Sequence, residues 1–256
     1  MAERPPRAGD EVEWDQKEMT FTEHLRELRG RLIICSVTIV GLAFILFWPS
    51  QFIIPWLTQL YFPHTVLHAF GPADVIFVEF KFSIFGAIVL GLPVLIHQIW
   101  MFIVPAFHPK TRKVVYAYTL PALFLAAAGI AFCHFFVIRR VVWALLAITN
   151  QVATPTFGIE STLTLILLLF LGFALIFQTP MVMIALARIG LVNSRMLRQY
   201  RRYAIMGILL IGGLLAPDAS PFTMMLLAAP MYVLFESSIW IIVLLEKSWQ
   251  REALSS

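Results

Sequence analysis

The sequence predicts an all-α polytopic membrane protein with six transmembrane helices, and three observations predict it. Of its 256 residues, 60% are hydrophobic and 13% charged, against about half and a quarter in an ordinary soluble domain; mean hydropathy is +0.83. The apolar residues come in runs long enough to span the ~30 Å hydrocarbon core, which takes about 20 helical residues. Nearly all the charged residues sit in short segments outside those runs. A net charge of +4 distributed in this way fits loops facing anionic lipid and argues against nucleic acid as a partner.

Residues 1–20 are polar and rich in acids (Glu3, Asp10, Glu11, Glu13, Asp15, Glu18), unlike a signal peptide with its basic start and apolar centre. They read as a disordered cytoplasmic tail. The membrane domain is expected over 21–247 and a second cytoplasmic tail over 248–256. Four spans read directly: Leu32–Trp48, Phe80–Pro105, Val114–Ile138 and Ser161–Ala187. Two more are shorter. Tyr203–Ala216 provides roughly 21 Å of helix at ~1.5 Å per residue. Phe222–Phe235 stops at Glu236 before Ser237–Leu245 resumes the apolar run. Because a carboxylate at mid-bilayer is costly, Glu236 is expected near the cytoplasmic boundary, with the bilayer thinned around two short final spans.

Lys and Arg counts set the orientation. The segment through Arg31 holds six, the loop after the second span three, the loop after the fourth span five and the C-terminal tail two; the opposite side holds only Arg139 and Arg140. Both termini are therefore expected inside, and Lys81 is left within a span. The first outer loop, Pro49 to Val78, is apolar and aromatic; it is expected to lie on the membrane or cap the bundle. The second, Arg139–Glu160, combines a short apolar helix with a Thr-Pro-Thr turn and is expected to do the same. Pro93, Pro121, Pro180 and Pro230 fall within spans and should kink them.

Few chemistries suit this chain. Cys35 and Cys133 lie in apolar runs and read as small core residues. His64 and His68 are spaced i, i+4 but lack an obvious third ligand, so neither a metal nor a cofactor is expected. No hydrolase motif or nucleophile–base pair is present, and none of the four aspartates lies in a span; the chain does not read as an enzyme. His97 and His134 lie in membrane runs, lining a polar cavity or hydrogen-bonded in the core. Gln178, beside Pro180 deep in the fourth span, is either a helix–helix hydrogen bond or a cavity-lining group.

The remaining signal is the segment Thr22 to Leu32. Leu25, Leu28 and Leu32 recur with helical spacing, and Glu23 and Glu27 stack one turn apart. One reading is a solvated helix with internal Glu–Arg pairs. The sharper one is an acidic receptor for a basic peptide, since a carboxylate at the low-dielectric interface binds guanidinium bidentately and lysine less well. A small-solute secondary transporter or channel, with Gln178, Lys81 and His134 forming a polar path, is the alternative; it usually shows an internal repeat, and none is visible.

The same residues carry a family resemblance. Phe21-Thr-Glu-His-Leu-Arg-Glu-Leu-Arg-Gly-Arg-Leu32 resembles the N-terminal signature of the TatC family, the large subunit of the twin-arginine protein translocase. The likeness continues through Phe77-Val-Glu-Phe-Lys81, Leu92-Pro-Val-Leu-Ile-His-Gln-Ile-Trp-Met-Phe-Ile-Val-Pro-Ala106, Leu197-Arg-Gln-Tyr-Arg-Arg-Tyr203 and Ala229-Pro-Met-Tyr-Val-Leu-Phe-Glu236. It implies a receptor in the cytoplasmic (inner) membrane. Such a receptor binds twin-arginine signal peptides of folded cargo and recruits single-span TatA/TatB-type subunits, using the protonmotive force. The small-residue and aromatic surfaces of the spans point to a homo-oligomer within a larger complex.

By that resemblance Glu27 contacts the paired arginines, with Arg29 and Arg31 beside it. Phe102 and Pro105 belong to the entrance of the first cytoplasmic loop, and Pro55 to the outer cap. Several positions depart from the family pattern. Thr111 stands where a second arginine-reading glutamate is usual, Gln178 replaces an intramembrane glutamate, and Ser220 replaces an aspartate, with Asp218 two residues earlier. His134 stands for a frequent tyrosine and Arg139 for a proline. With Thr111 uncharged, Glu23 is expected to supply the second negative charge.

Overall fold

Long apolar runs can cross a bilayer only as helices, because no water is there to satisfy backbone polar groups. The computed structural model describes residues 21–63, 65–103, 112–149, 156–188, 190–216 and 220–254. Its helices in chain order are α1 (Phe21–Tyr61), α2 (Asp74–Ile103), α3 (Arg112–Phe132), α4 (Arg139–Thr149), α5 (Ile159–Ile176), α6 (Thr179–Arg188), α7 (Ser194–Gln199), α8 (Arg201–Leu215) and α9 (Pro221–Leu254). A π-helical turn, Cys133–Ile138, joins α3 to α4. Among the described residues, five helical stretches are long and apolar enough to cross a membrane: Leu25–Tyr61, Asp74–Ile99, Leu120–Ala147, Ile159–Arg188 and Pro221–Glu246.

Helix α1 packs along α2, which in turn packs on α3 and α5. Much of α1 stays open, with Val37, Phe44, Ile45 and Trp48 exposed; large apolar side chains facing outward along a span suit lipid contact. The main core joins α2, the π turn, α4, α5 and α9 through Val78, Val137, Val141, Leu163, Ile166, Phe173 and Leu227. A second core lies between α6, α7 and α9, built on Ala187, Leu197, Phe235, Ile239 and Ile242. Both cysteines are free; Cys133 is fully buried and Cys35 half-buried.

Small residues let α3 and α5 approach closely. Ala122, Ala126 and Gly129 recur at helical spacing on α3, and a β-carbon on Gly129 would lie 2.6 Å from the Phe173 carbonyl oxygen. This is the small-residue packing that membrane helices use where burial of apolar surface gives no driving force.

Three expectations are corrected. Residues 49–61, read as part of an outer loop, continue α1, with Pro49 and Pro55 inside it. Each proline removes one backbone donor, yet its fixed φ is helical, and Pro55 sits on an exposed face. The fourth span is two helices, α5 and α6, separated by a turn at Phe177–Gln178. Pro180 cannot donate to the Ile176 carbonyl, and Thr179 Oγ1 donates to it instead at 2.6 Å. Finally, α8 is short, at 15 residues, but α9 runs unbroken for 34 residues through Glu236. The carboxylate does not end the helix because Arg201, at the start of α8, pairs with it.

The two loop regions at the far end of α1 meet in a small parallel pairing, Leu67 with Phe157 and His68 with Gly158. The Phe62 and Phe157 rings lie 6.0 Å apart beside it.

Candidate functional site

The site grows from helical spacing. Residues four apart share a helix face, so Glu27 and Arg31 meet on α1, where Arg31 Nε donates to Glu27 Oε1 at 3.0 Å and Nη2 binds the same oxygen. Arg31 also reaches across to α2: Nη1 donates to Gln98 Oε1 at 3.1 Å. The guanidinium thus bridges the first turns of α1 and the last turns of α2. Both charged side chains are about four-fifths buried, at 18% and 20% exposure for Arg31 and Glu27.

Glu27 Oε2, by contrast, is buried and has no hydrogen-bond partner among the described residues. A buried carboxylate oxygen without a donor is costly, so this atom is the natural acceptor for an incoming cation. A second guanidinium would complete the carboxylate's shell, each oxygen then taking one cation.

The other expected site residues fall around this pair. Phe102 is half-buried one turn beyond Gln98 and therefore on the same side of α2. Arg29 is exposed and, two residues from both Glu27 and Arg31, faces away from them. Glu23 stands one turn before Glu27 on α1, and its side chain is not among those described. Pro105 and Thr111 lie outside the described residues. Pro55 is in α1 near its far end, where Thr58 Oγ1 donates to its carbonyl at 2.7 Å; it is remote from Glu27.

Gln178 is buried at the α5–α6 turn, and its Nε2 donates to the Ala122 carbonyl at 3.0 Å. It is the interhelical hydrogen bond of the two readings, although Oε1 is buried without a partner. His134 sits in the π turn, and its Nδ1 lies 2.5 Å from the Tyr61 hydroxyl. Lys81 pairs with Glu160 of α5 and donates to Thr164 Oγ1 at 3.1 Å.

Gln98 went unnoticed in the sequence, since one uncharged amide in an apolar block carries no signal until its partner is known. The same holds for the clamp beside the site. Ala185 of α6 packs against Ile96 and Met101 of α2, placing the α6–α7–α9 core at the Glu27 end. There Glu246 accepts from Ser194 N at 2.8 Å and from its hydroxyl at 2.6 Å. Arg198 lies 6.0 Å from the Trp240 ring centroid.

Comparison with known proteins identifies the family. The family model described as Sec-independent protein translocase protein (TatC) matches residues 23–230. TatCy of Bacillus subtilis is 31% identical over 93% of both chains. TatC of Aquifex aeolicus is 30% identical over 87% of this chain and 94% of its own. A crystal structure of the twin-arginine translocase receptor TatC in the detergent DDM superposes with a TM-score of 0.78 at 28% identity, covering 86% of this chain and 99% of that one. A multi-span helical chain matched along most of its length in both sequence and structure belongs to the TatC family of Sec-independent protein translocase proteins.

Proposed function

We propose that this chain is the signal-peptide receptor and core subunit of a twin-arginine translocase, moving folded proteins across the cytoplasmic membrane with the protonmotive force. The observation that carries the reading is the divided Glu27 carboxylate, with one oxygen held by Arg31 and the other buried and open. A guanidinium fits that opening better than an ammonium, because its planar fork can satisfy the oxygen and a neighbouring acceptor together. Glu23, one turn away, is the acceptor for the second arginine, in place of the glutamate that Thr111 lacks.

The topology that serves this role has six crossings. Helix α8 is the additional short span, about 22 Å long, lying antiparallel to the first half of α9. The Arg201–Glu236 pair then marks the cytoplasmic boundary, and the arginine-rich loops place both termini inside. Prolines within α2 and α9 bend the spans, and the paired loops at the far end of α1 cap the bundle outside. Single-span TatA/TatB-type subunits and further copies of this chain are its proposed partners.

Export in a bacterium lacking its own TatC tests this. With this chain and matching single-span subunits supplied, a folded reporter bearing a twin-arginine leader should reach the outside. A twin-lysine leader or an uncoupler should stop it. Export unaffected by both would overturn the reading.

A further inference from the structure

At the opposite end of α1, 34 residues and about 51 Å of helix from Glu27, the structure holds a second polar site. A cavity of about 200 Å³ is lined by Tyr61, His134 and Arg139 together with Leu60, Phe135 and Val142. We propose that it binds the phosphodiester headgroup of a membrane phospholipid.

The π turn builds the site. In an α-helix, residues five apart stand about 140° apart around the axis; an i→i+5 turn brings them over one another. The π segment Cys133–Ile138 thereby presents His134 and Arg139 to one cavity. Tyr61 meets them from α1, its hydroxyl 2.5 Å from His134 Nδ1. With the phenol donating, Nδ1 accepts and Nε2–H becomes the donor left on the ring.

Charge points to an anion. Arg139 makes no ion pair with any described carboxylate, whereas Lys81, the other cation of this region within a span, is paired with Glu160. The next residue, Arg140, is held differently: its Nη1 donates to the Phe136 carbonyl at 2.9 Å, and its guanidinium carbon lies 5.7 Å from the Phe136 ring centroid. Arg139 alone thus contributes an uncommitted guanidinium to the cavity, and a phosphodiester is the bidentate partner such a fork fits.

Depth points to a lipid. Counting from Leu32, about 20 residues cross the hydrocarbon core, which puts Tyr61 about 13 Å beyond it, within the headgroup layer. Phe135 lines the cavity and is exposed, as are Phe136 and Trp143 of the same stretch of chain, in keeping with aromatic side chains at a membrane–water interface. The apolar wall of Leu60, Phe135 and Val142 suits the glycerol and first acyl carbons below a phosphate.

The test uses the full chain, purified and delipidated, titrated with phosphatidylglycerol, with a diacylglycerol of the same chains, and with inorganic phosphate. Binding is read by native mass spectrometry and by the shift in unfolding temperature. Phosphatidylglycerol should bind tightest, and Arg139→Gln should weaken it about tenfold, the weight of one charge-assisted hydrogen bond. His134→Gln should weaken it less, and Arg139→Lys should fall between wild type and Arg139→Gln. Equal binding of the diacylglycerol would overturn the proposal by making the contact purely apolar. Equal binding of inorganic phosphate would overturn it by making the ligand a free anion. Unchanged affinity in Arg139→Gln would overturn the placement. Arg139 is exposed and distant from Glu27, so signal-peptide binding provides a separate readout of the receptor role.

Discussion

Arg31 and Gln98, 67 residues apart in the chain, are joined by a 3.1 Å hydrogen bond between a guanidinium and a side-chain amide. The bond anchors one arm of the guanidinium on α2 while its other nitrogens hold a single oxygen of Glu27. Were Arg31 free of Gln98, it could rotate to fork across both carboxylate oxygens, the preferred Arg–carboxylate geometry. Gln98 thus keeps Arg31 from covering the second oxygen of Glu27, the one proposed to accept an external arginine.

Removing Gln98 should therefore weaken the site without removing its charge. In Gln98→Leu, affinity for a twin-arginine peptide should fall about tenfold, corresponding to ~1.5 kcal/mol for one hydrogen bond to a charged group. Fluorescence anisotropy of a labelled peptide checks this. An affinity equal to or higher than wild type would show that Arg31 does not compete.

The contact of α3 with α5 should tolerate no side chain at Gly129. A β-carbon there meets the Phe173 carbonyl at 2.6 Å and the Phe177 β-carbon at 3.0 Å, and a backbone oxygen cannot rotate away. Gly129→Ala should destabilise by about 1–3 kcal/mol and Gly129→Val by more. Thermal unfolding in detergent measures this. The same strain should loosen the Gln178–Ala122 hydrogen bond two turns away, so Gln178→Leu should add little in the Gly129→Val background.

The ordinary features of this fold were legible in the sequence because they depend on neighbours along the chain. Apolar runs located α2, α3 and α5, and helical spacing in the Thr22–Leu32 segment raised internal Glu–Arg pairs, of which Glu27–Arg31 is one. The features that were not legible depend on distant partners. Glu236 reads as the end of a span until Arg201 is found beside it, 35 residues away. Pro49 and Pro55 read as part of an outer loop because their setting in the last turns of α1, Pro49 half-buried and Pro55 exposed, is a tertiary fact. The π turn leaves no trace in hydropathy, because inserting one residue into a turn changes facing and not composition. Gln98 was one amide in an apolar block, and its role appeared only with Arg31 in reach.

The Arg201–Glu236 pair should behave as a coupled unit. The side chains are 40% and 24% exposed, so breaking the pair leaves a partly buried charge unpaired. Glu236→Gln and Arg201→Gln should each destabilise by about 1–2 kcal/mol, and the double variant by clearly less than their sum. A double-mutant cycle on unfolding temperature reads the coupling directly; additive losses would show the pair to be unimportant to stability.

The central claim is that Glu27 is the acceptor for a signal-peptide arginine, and its most direct test is peptide affinity in nanodiscs for wild type and Glu27→Gln. Glutamine keeps the size and removes the charge, so it separates recognition from packing. The account predicts that the wild type prefers a twin-arginine over a twin-lysine peptide, and that Glu27→Gln loses about tenfold or more in affinity together with that preference. Undiminished binding of the twin-arginine peptide by Glu27→Gln, with its preference over lysine intact, would contradict it.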